Sequence, residues 1–256
     1  MWKVYKYTLI DLARNKFVLG WTLLLLAISL GLFQLEDQPV KAMLSLSQVL
    51  LALVPLVASV FTIVYIYDVM EFTELLAVQP LRRSKILGGQ MAALGTALVL
   101  GALVGAGIPL MIFLPDGASI TLILACVMLT LVFVAIGSLI AIKNREKARG
   151  VGLGLVVWFL FVLVYDAVLL WIMFAFSDYP IEPLIVPLAA LDPIDLGRIM
   201  VLLKVDLAAM MGYSGAVYEQ FFGTLRGILV ALSPSKWMCG FSRGIVITSR
   251  YVPGRM

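Results

Sequence analysis

Histidine is absent from this sequence, and cysteine is scarce. Without histidine the chain cannot carry an HExxH metalloprotease site, a His-ligated haem or a Ser-His-Asp triad. Its two cysteines, Cys126 and Cys239, form no CxxC motif and indicate neither a disulfide framework nor a zinc site. We therefore expect no catalytic residue and no metal or cofactor site in this chain.

Charge is also sparse, at 13% of residues, whereas roughly 25% is usual in soluble domains. The sequence is 62% hydrophobic, with a mean hydropathy of +1.07. Its apolar runs are continuous and do not alternate, which argues against a β-barrel. The composition predicts an all-α, polytopic helical membrane protein. The net charge of +4 lies at membrane-flanking sites, so we expect lipid and no nucleic acid as a partner.

Five apolar runs are near or above the ~20 residues that a transmembrane helix needs. They cover approximately residues 17–33, 44–67, 91–114, 119–142 and 151–176. A sixth run starts near residue 227 but is interrupted by "SPSK" and contains Lys236 and Arg243. Each charge at mid-membrane costs about 2.5–3.5 kcal/mol. These charges and the interruption make a sixth span doubtful.

The positive charges predict the orientation. Eleven lie before the first run, in the segment 68–90 and in the segment 143–150, against Lys41 alone in the segments 34–43 and 115–118. Because cytoplasmic loops carry excess Lys and Arg, the N-terminus and the segments 68–90 and 143–150 are predicted to be cytoplasmic. We expect a bacterial inner-membrane location.

Residues 1–16 are amphipathic and predict a helix in the inner interface, although a charged flanking tail is the alternative. Its apolar face contains Trp2, Tyr5, Leu9, Leu12 and Ala13, opposite Lys3, Lys6 and Arg14. Two GxxxG spacings, Gly101/Gly105 and Gly150/Gly154, predict close helix packing in the bundle.

Asp166 is the intramembrane polar candidate, within the fifth run. An intramembrane carboxylate indicates a functional site by default, and a structural hydrogen bond with Tyr165 or a neighbouring helix is the alternative. The extracytoplasmic segment 177–223 contains "LDPIDLGR", in which Asp192 can cap a helix and Pro193 and Asp195 suit its first turn. It is predicted to form an amphipathic helix or a re-entrant segment.

Within residues 71–83, "EFTELLAVQPLRR", Glu71 to Ala77 are predicted to form a short cytoplasmic helix that Pro80 ends. Its apolar face suits docking into a groove of a soluble partner, and a solvated connecting loop is equally consistent with the composition. The stretch resembles the cytoplasmic motif of ABC-2 type permeases, roughly E-x-G-T-x-E-L-L-L-x-x-P-x-x-R. Phe72 replaces that motif's glycine. The matching residues are Glu71, Thr73, Glu74, Leu75, Leu76, Pro80 and Arg83.

Two later patches, "VVWFLFVLVYDAVLL" and "LDPIDLGRIMVLL", look like the permeases of nitrous oxide reductase maturation, also described as multi-copper enzyme maturation permeases. The second contains the extracytoplasmic motif residues Asp192, Pro193, Asp195 and Arg198. A further run, "MMGYSGAVYEQFFG", fits a branch of that group, and the resemblance covers about residues 1–224.

The resemblance implies a type V exporter-like ABC-2 fold with six spans, a homodimer and a possible periplasmic accessory protein. It implies that Glu71 to Pro80 is the coupling helix, which contacts a cytoplasmic ATPase that binds the ATP and Mg. Residues 225–256 depart from the family pattern and are interpreted as a degraded sixth span, with a frameshift as the hypothesis for its origin. The implied role is transport or mechanical work in copper-enzyme maturation. Two alternatives remain: a self-contained secondary transporter using Asp166, and a membrane scaffold.

Overall fold

The computed structural model describes residues 2–70, 83–144, 146–175, 188–189 and 191–205. Within these ranges all regular structure is helical. Five helical segments are long and apolar enough to cross a membrane, which confirms the five predicted spans. Spans 1 to 5 are Lys16–Leu35, Pro39–Asp68, Leu87–Phe113, Gly117–Lys143 and Lys147–Ala175. A helix at Trp2–Arg14 precedes them, and another at Pro193–Lys204 follows them.

The helices extend beyond the predicted apolar runs. The predicted polar segment 143–150 shortens to residues 144–146, because helix continues on both sides of it. Likewise a helix that begins at Arg83 continues into span 3, although residues 83–90 were predicted to be part of a cytoplasmic segment. Hydropathy detects only the apolar part of a helix, whereas backbone hydrogen bonds continue into the charged flanks. The predicted boundaries were wrong for this reason.

Glycines allow the spans to approach each other closely. A Cβ on Gly137 of span 4 would lie 2.7 Å from the Ser59 carbonyl oxygen of span 2. A Cβ on Gly105 of span 3 would lie 2.7 Å from Leu25 Cβ of span 1. Gly154 of span 5 faces Ile63 of span 2 in the same way. Both GxxxG spacings therefore pack helices within the chain, as predicted.

Span 3 is interrupted by a π-helical turn at Leu103–Gly107, two residues before Pro109. Proline has no N–H to donate to the carbonyl four residues earlier, which here belongs to Gly105. Ser29 of span 1 donates to that carbonyl instead, at 3.0 Å. The irregularity in one span is thus compensated by its neighbour.

The N-terminal helix, Trp2–Arg14, packs against span 3, where the Tyr5 hydroxyl donates to Thr96 Oγ1 at 3.4 Å. Leu12 is fully buried, and Lys6 and Arg14 are exposed, as the amphipathic pattern predicts. Ala13 is also exposed, so its assignment to the apolar face was wrong. Consecutive residues of a helix point about 100° apart, so Ala13 points away from the direction in which Leu12 is buried.

Span 5 lies at the edge of the bundle. Its only buried residues are Gly150, Gly154 and Leu169. A π-helical turn at Leu160–Val164 interrupts it just before Asp166. The Trp158 indole N–H donates to the Ala52 carbonyl of span 2 at 2.9 Å. Span 5 is therefore held by a few polar and close-packed contacts and leaves most of its apolar surface open.

The helix Pro193–Lys204, which we call the inserted helix, packs against spans 2 and 4. A Cβ on its Gly197 would lie 3.1 Å from Leu51 and 3.4 Å from Ala125. Ala125 lies about 12 Å along span 4 from its first residue, at 1.5 Å per residue. This depth favours the re-entrant form of the predicted segment over an amphipathic helix lying on the bundle.

Candidate functional site

The residues of the ABC-2-like motif lie mostly outside the described part of the chain. Glu71, Thr73, Glu74, Leu75, Leu76 and Pro80 are outside it. Arg83 is the first residue of the helix that leads into span 3. The structure therefore describes the helices on both sides of the motif, and the assignment of the motif as a coupling segment stays a prediction.

The remaining candidate residues come together where span 5 meets the inserted helix. Asp166 lies in the first helical turn after the π turn of span 5. Arg198 Nη1 donates to Asp166 Oδ2 at 3.0 Å and to Asp195 Oδ1 at 3.1 Å. Asp195 and Arg198 are three residues apart and so share one face of the inserted helix. One guanidinium nitrogen thus bonds to a carboxylate of each element.

Asp192 begins the inserted helix, as the sequence predicts. Its Oδ1 accepts from the Ile194 N–H at 2.8 Å, and Pro193 occupies the first turn, where its missing N–H has no cost. Asp192 has no exposed surface, and its Oδ2 has no hydrogen-bond partner among the described residues. The capping hydrogen bond therefore involves only one of the two oxygens of this buried carboxylate.

Asp166, Asp192 and Asp195 form one carboxylate cluster. Each offers an oxygen, and the three oxygens lie within 4.8 Å of one another. Arg198 is the cation bonded to this cluster, and its buried Nε has no hydrogen-bond partner within the described ranges of the chain. Three carboxylates and one guanidinium leave an excess of negative charge when all are ionised.

The two aspartates of the inserted helix, outside the five spans, have raised pKa values. Burial raises the pKa of Asp192 to about 6, against the lowering effect of the Ile194 N–H. Burial raises the pKa of Asp195 to about 7, and the adjacent Asp166 carboxyl raises it further. Both shifts express the same shortage of positive charge, since desolvation and like charges favour the neutral acid.

The structure decides between the two partners predicted for Asp166. Its carboxylate bonds to Arg198 of a neighbouring helix, whereas the Tyr165 hydroxyl donates to the Leu188 carbonyl. Tyr165 as the partner was therefore wrong. Consecutive helical residues point about 100° apart, so Tyr165 and Asp166 contact different neighbours.

A second polar contact, at the opposite end of span 5, was not predicted. Lys147 Nζ lies 2.6 Å from Asp68 Oδ1, and the Tyr67 hydroxyl donates to the Asn144 carbonyl at 2.8 Å. The first contact joins the start of span 5 to the end of span 2, and the second joins the residue after span 4 to the end of span 2. Both lie just before residues 71–82. The sequence shows that Asp68 and Lys147 have opposite charges and lie on the side predicted to be cytoplasmic. It does not show that these two residues pair with each other.

No family model matches the chain. It is 29% identical to the probable ABC transporter permease protein NosY of Stutzerimonas stutzeri, over 93% of this chain and 91% of that protein. It is also 29% identical to the probable ABC transporter permease protein NosY of Pseudomonas aeruginosa, over 83% of this chain and 85% of that one.

The similarity to the Stutzerimonas stutzeri protein covers 93% of this chain, which is more than the 224 residues over which the sequence resembles the family. Part of the segment 225–256 therefore aligns with the relative, and the interpretation of this segment as a degraded sixth span stays a prediction. The five described spans fit the same class of protein. The chain is thus a multi-pass helical membrane protein that is similar, along most of its length, to the permease subunits of ABC transporters.

Proposed function

We propose that this chain is the membrane subunit through which a partner ATPase drives transport or mechanical work. The observation that carries the proposal is the similarity to two ABC transporter permeases over 93% and 83% of the chain. The five described spans supply a helical bundle of the kind that such a role requires. No catalytic residue is assigned to this chain, because ATP and Mg would be bound by the ATPase.

Residues 71–83 are proposed as the contact with the ATPase. They separate span 2 from span 3, on the side that the positive charges predict to be cytoplasmic. The contact of Asp68 with Lys147 joins the preceding span to the start of span 5. A force applied at residues 71–83 would therefore act on spans 2, 3 and 5. ATP binding shifts the bundle between two packings only if one of them is favoured by the closed ATPase.

The biological setting follows from the resemblance to maturation permeases. We propose a homodimer with two ATPase copies, working with a periplasmic accessory protein in copper-enzyme maturation at nitrous oxide reductase. The cargo would be a copper or sulfur species, or the output would be mechanical. A self-contained secondary transporter is the less supported function, because the carboxylate on which it depends, Asp166, is bonded to Arg198.

Co-purification of this chain with the ABC ATPases of its own organism tests the proposal. The Glu74→Arg substitution reverses the charge of a residue in the proposed contact, and we expect it to abolish nucleotide-dependent association. Glu36→Arg is the matched control, since Glu36 ends span 1 on the side predicted to be extracytoplasmic. We expect it to associate normally. Failure of the unaltered chain to bind any ATPase, or equal association of the two variants, would contradict the proposal.

A further inference from the structure

Three acidic side chains converge between span 5 and the inserted helix with too little positive charge among the described residues around them. One oxygen from each of Asp166, Asp192 and Asp195 lies within 4.8 Å of the other two. Arg198 bonds to Asp166 and Asp195 through a single nitrogen. With all three acids ionised and one guanidinium present, two negative charges remain uncompensated. Carboxylates held this close require a further cation or must take up protons.

Asp192 provides an independent indication of a ligand. It is fully buried, its Oδ1 accepts from the Ile194 N–H, and its Oδ2 has no partner among the described residues. Leaving a buried polar atom unpaired costs about 1–3 kcal/mol, and more if it is charged. Such atoms in native proteins usually face an ion or a water molecule. The Asp192 carboxylate belongs to the same cluster as the carboxylates of Asp166 and Asp195.

The donor set selects the class of cation. All three groups offer oxygen, which suits hard ions such as Ca²⁺ and Mg²⁺ and does not suit Cu(I). Ca²⁺ binds oxygen at about 2.3–2.6 Å, so two of its ligands can be as much as about 5 Å apart. Mg²⁺ binds at about 2.0–2.1 Å and requires ligands within about 4.2 Å of each other. The three oxygens lie within 4.8 Å of one another, which is compatible with either ion. Mg²⁺ keeps several water ligands and usually binds one or two carboxylates, whereas Ca²⁺ takes six to eight oxygen ligands, so a set of three carboxylates favours Ca²⁺.

We propose that Asp166, Asp192 and Asp195 form a binding site for a hard divalent cation, with Ca²⁺ preferred. The proposal departs from the expectation, based on the sequence, that this chain has no metal site. The proposed ion is a bound component of the chain and is not the copper that would be transported. A bound ion would bridge span 5 and the inserted helix. The side chains of Asp166 and Arg198 are 31% and 30% exposed, so the described residues leave part of the cluster uncovered.

Arg198 competes with the cation for the same oxygens. Its Nη1 occupies one oxygen each of Asp166 and Asp195, and the cation needs oxygens of the same two carboxylates. The guanidinium is itself incompletely bonded, because its Nε lacks a partner. The proposal therefore predicts opposite effects for two substitutions. Removing a carboxylate weakens cation binding, whereas removing the guanidinium strengthens it.

Equilibrium dialysis of the purified full chain with radioactive Ca²⁺ tests the site, with Mg²⁺ as the competitor. We expect one Ca²⁺ per chain, with Mg²⁺ displacing it only at about tenfold or greater excess. Asp192→Asn should weaken Ca²⁺ binding at least about tenfold, and Asp166→Asn should do the same. Asparagine also caps helices well, so Asp192→Asn keeps the start of the inserted helix. Arg198→Gln should strengthen binding by about threefold or more, since it removes the competing cation.

Asp116→Asn is the matched control, because Asp116 precedes span 4 and is exposed, away from the cluster. It should bind Ca²⁺ as the unaltered chain does. Circular dichroism and size-exclusion chromatography establish that each variant is folded. The proposal is overturned if the unaltered chain binds no Ca²⁺ at millimolar concentration, or if Asp192→Asn and Asp166→Asn both bind normally. Weaker binding by Arg198→Gln would likewise overturn the competition between guanidinium and cation.

Discussion

Arg198 joins span 5 to the inserted helix through one guanidinium nitrogen. Its two acceptors, on Asp166 and Asp195, come from segments separated by a long connection. A hydrogen bond to a charged group contributes about 1.5–3 kcal/mol when it is shielded from water. The partial exposure of Arg198, at 30%, places its contribution in the lower part of this range. At the residue scale, this contact is the main polar link between the two elements.

We expect Arg198→Ala to lower the free energy of unfolding by about 1–2 kcal/mol, because it leaves Asp166 and Asp195 facing each other without a counter-charge. The measurement is SDS-induced unfolding in mixed micelles, in buffer without divalent cations. Arg149→Ala is the control, since the side chains of Arg149 and Glu146 are 70% and 71% exposed. That change should stay within about 0.5 kcal/mol. Equal effects of the two substitutions would show that the Arg198 contact adds nothing to stability.

At the scale of elements, glycine contacts set the distances between helices. Gly105 brings span 3 onto span 1, where its missing Cβ leaves room for Leu25 and for the Thr22 carbonyl oxygen. The same approach positions the Gly105 carbonyl to accept from Ser29. One small residue therefore permits both the packing and the hydrogen bond that compensates Pro109. Without a hydrophobic driving force between helices in lipid, such close contacts carry much of the association.

Gly105→Ala should destabilise the protein by about 1–3 kcal/mol, because a Cβ at 2.7–2.8 Å from Leu25 Cβ and the Thr22 oxygen forces the two spans apart. Gly20→Ala in span 1 is the matched control, since a Cβ there meets nothing within 4 Å. It should be neutral, or stabilising by up to about 1 kcal/mol through the better helix propensity of alanine. Thermal unfolding in detergent compares the two. A neutral Gly105→Ala would mean that spans 1 and 3 adjust freely.

At the scale of the whole molecule, the charges predict one orientation in the membrane. Residues 1–16, 68–90 and 143–150 contain eleven of the positive residues, and the opposite loops contain Lys41 alone. The five spans place these two sets at opposite ends of the bundle. The carboxylate cluster lies in the half of span 5 nearer its end at Ala175, and the contact of Lys147 with Asp68 lies at its start. Span 5 thus connects the side proposed for the ATPase with the cluster.

Cysteine labelling in intact cells tests this orientation. In a chain with Cys239→Ser, we expect Gln38→Cys to react with a membrane-impermeant maleimide, because the connection between spans 1 and 2 is predicted to be extracytoplasmic. Glu146→Cys, between spans 4 and 5, should react only after permeabilisation. The remaining native thiol, Cys126, is buried and gives the background. The reverse pattern would refute the positive-inside assignment.

The spans themselves were predictable because each depends on its own composition. A run of apolar residues such as 119–142 must form a helix in lipid, since every backbone polar group has to be satisfied within the segment. The start of the inserted helix was predictable for a similar reason, because Asp192 and Pro193 act on the backbone within two residues. Helix ends were missed where charged residues continue a helix, as at Arg83.

The sequence by itself determined that this protein is a bundle of apolar helices, with its charges at the ends and a polar motif at residues 71–83. These features depend only on whether each segment lies in lipid or in water. Only the tertiary structure decided that Arg198 bonds to Asp166 and that Asp192 and Asp195 complete the cluster. The contact depends on the direction in which Asp166 points after the π turn of span 5. It depends equally on the position of the inserted helix, which brings Arg198 next to span 5. Both depend on packing against spans 2 and 4, between residues far apart in the chain.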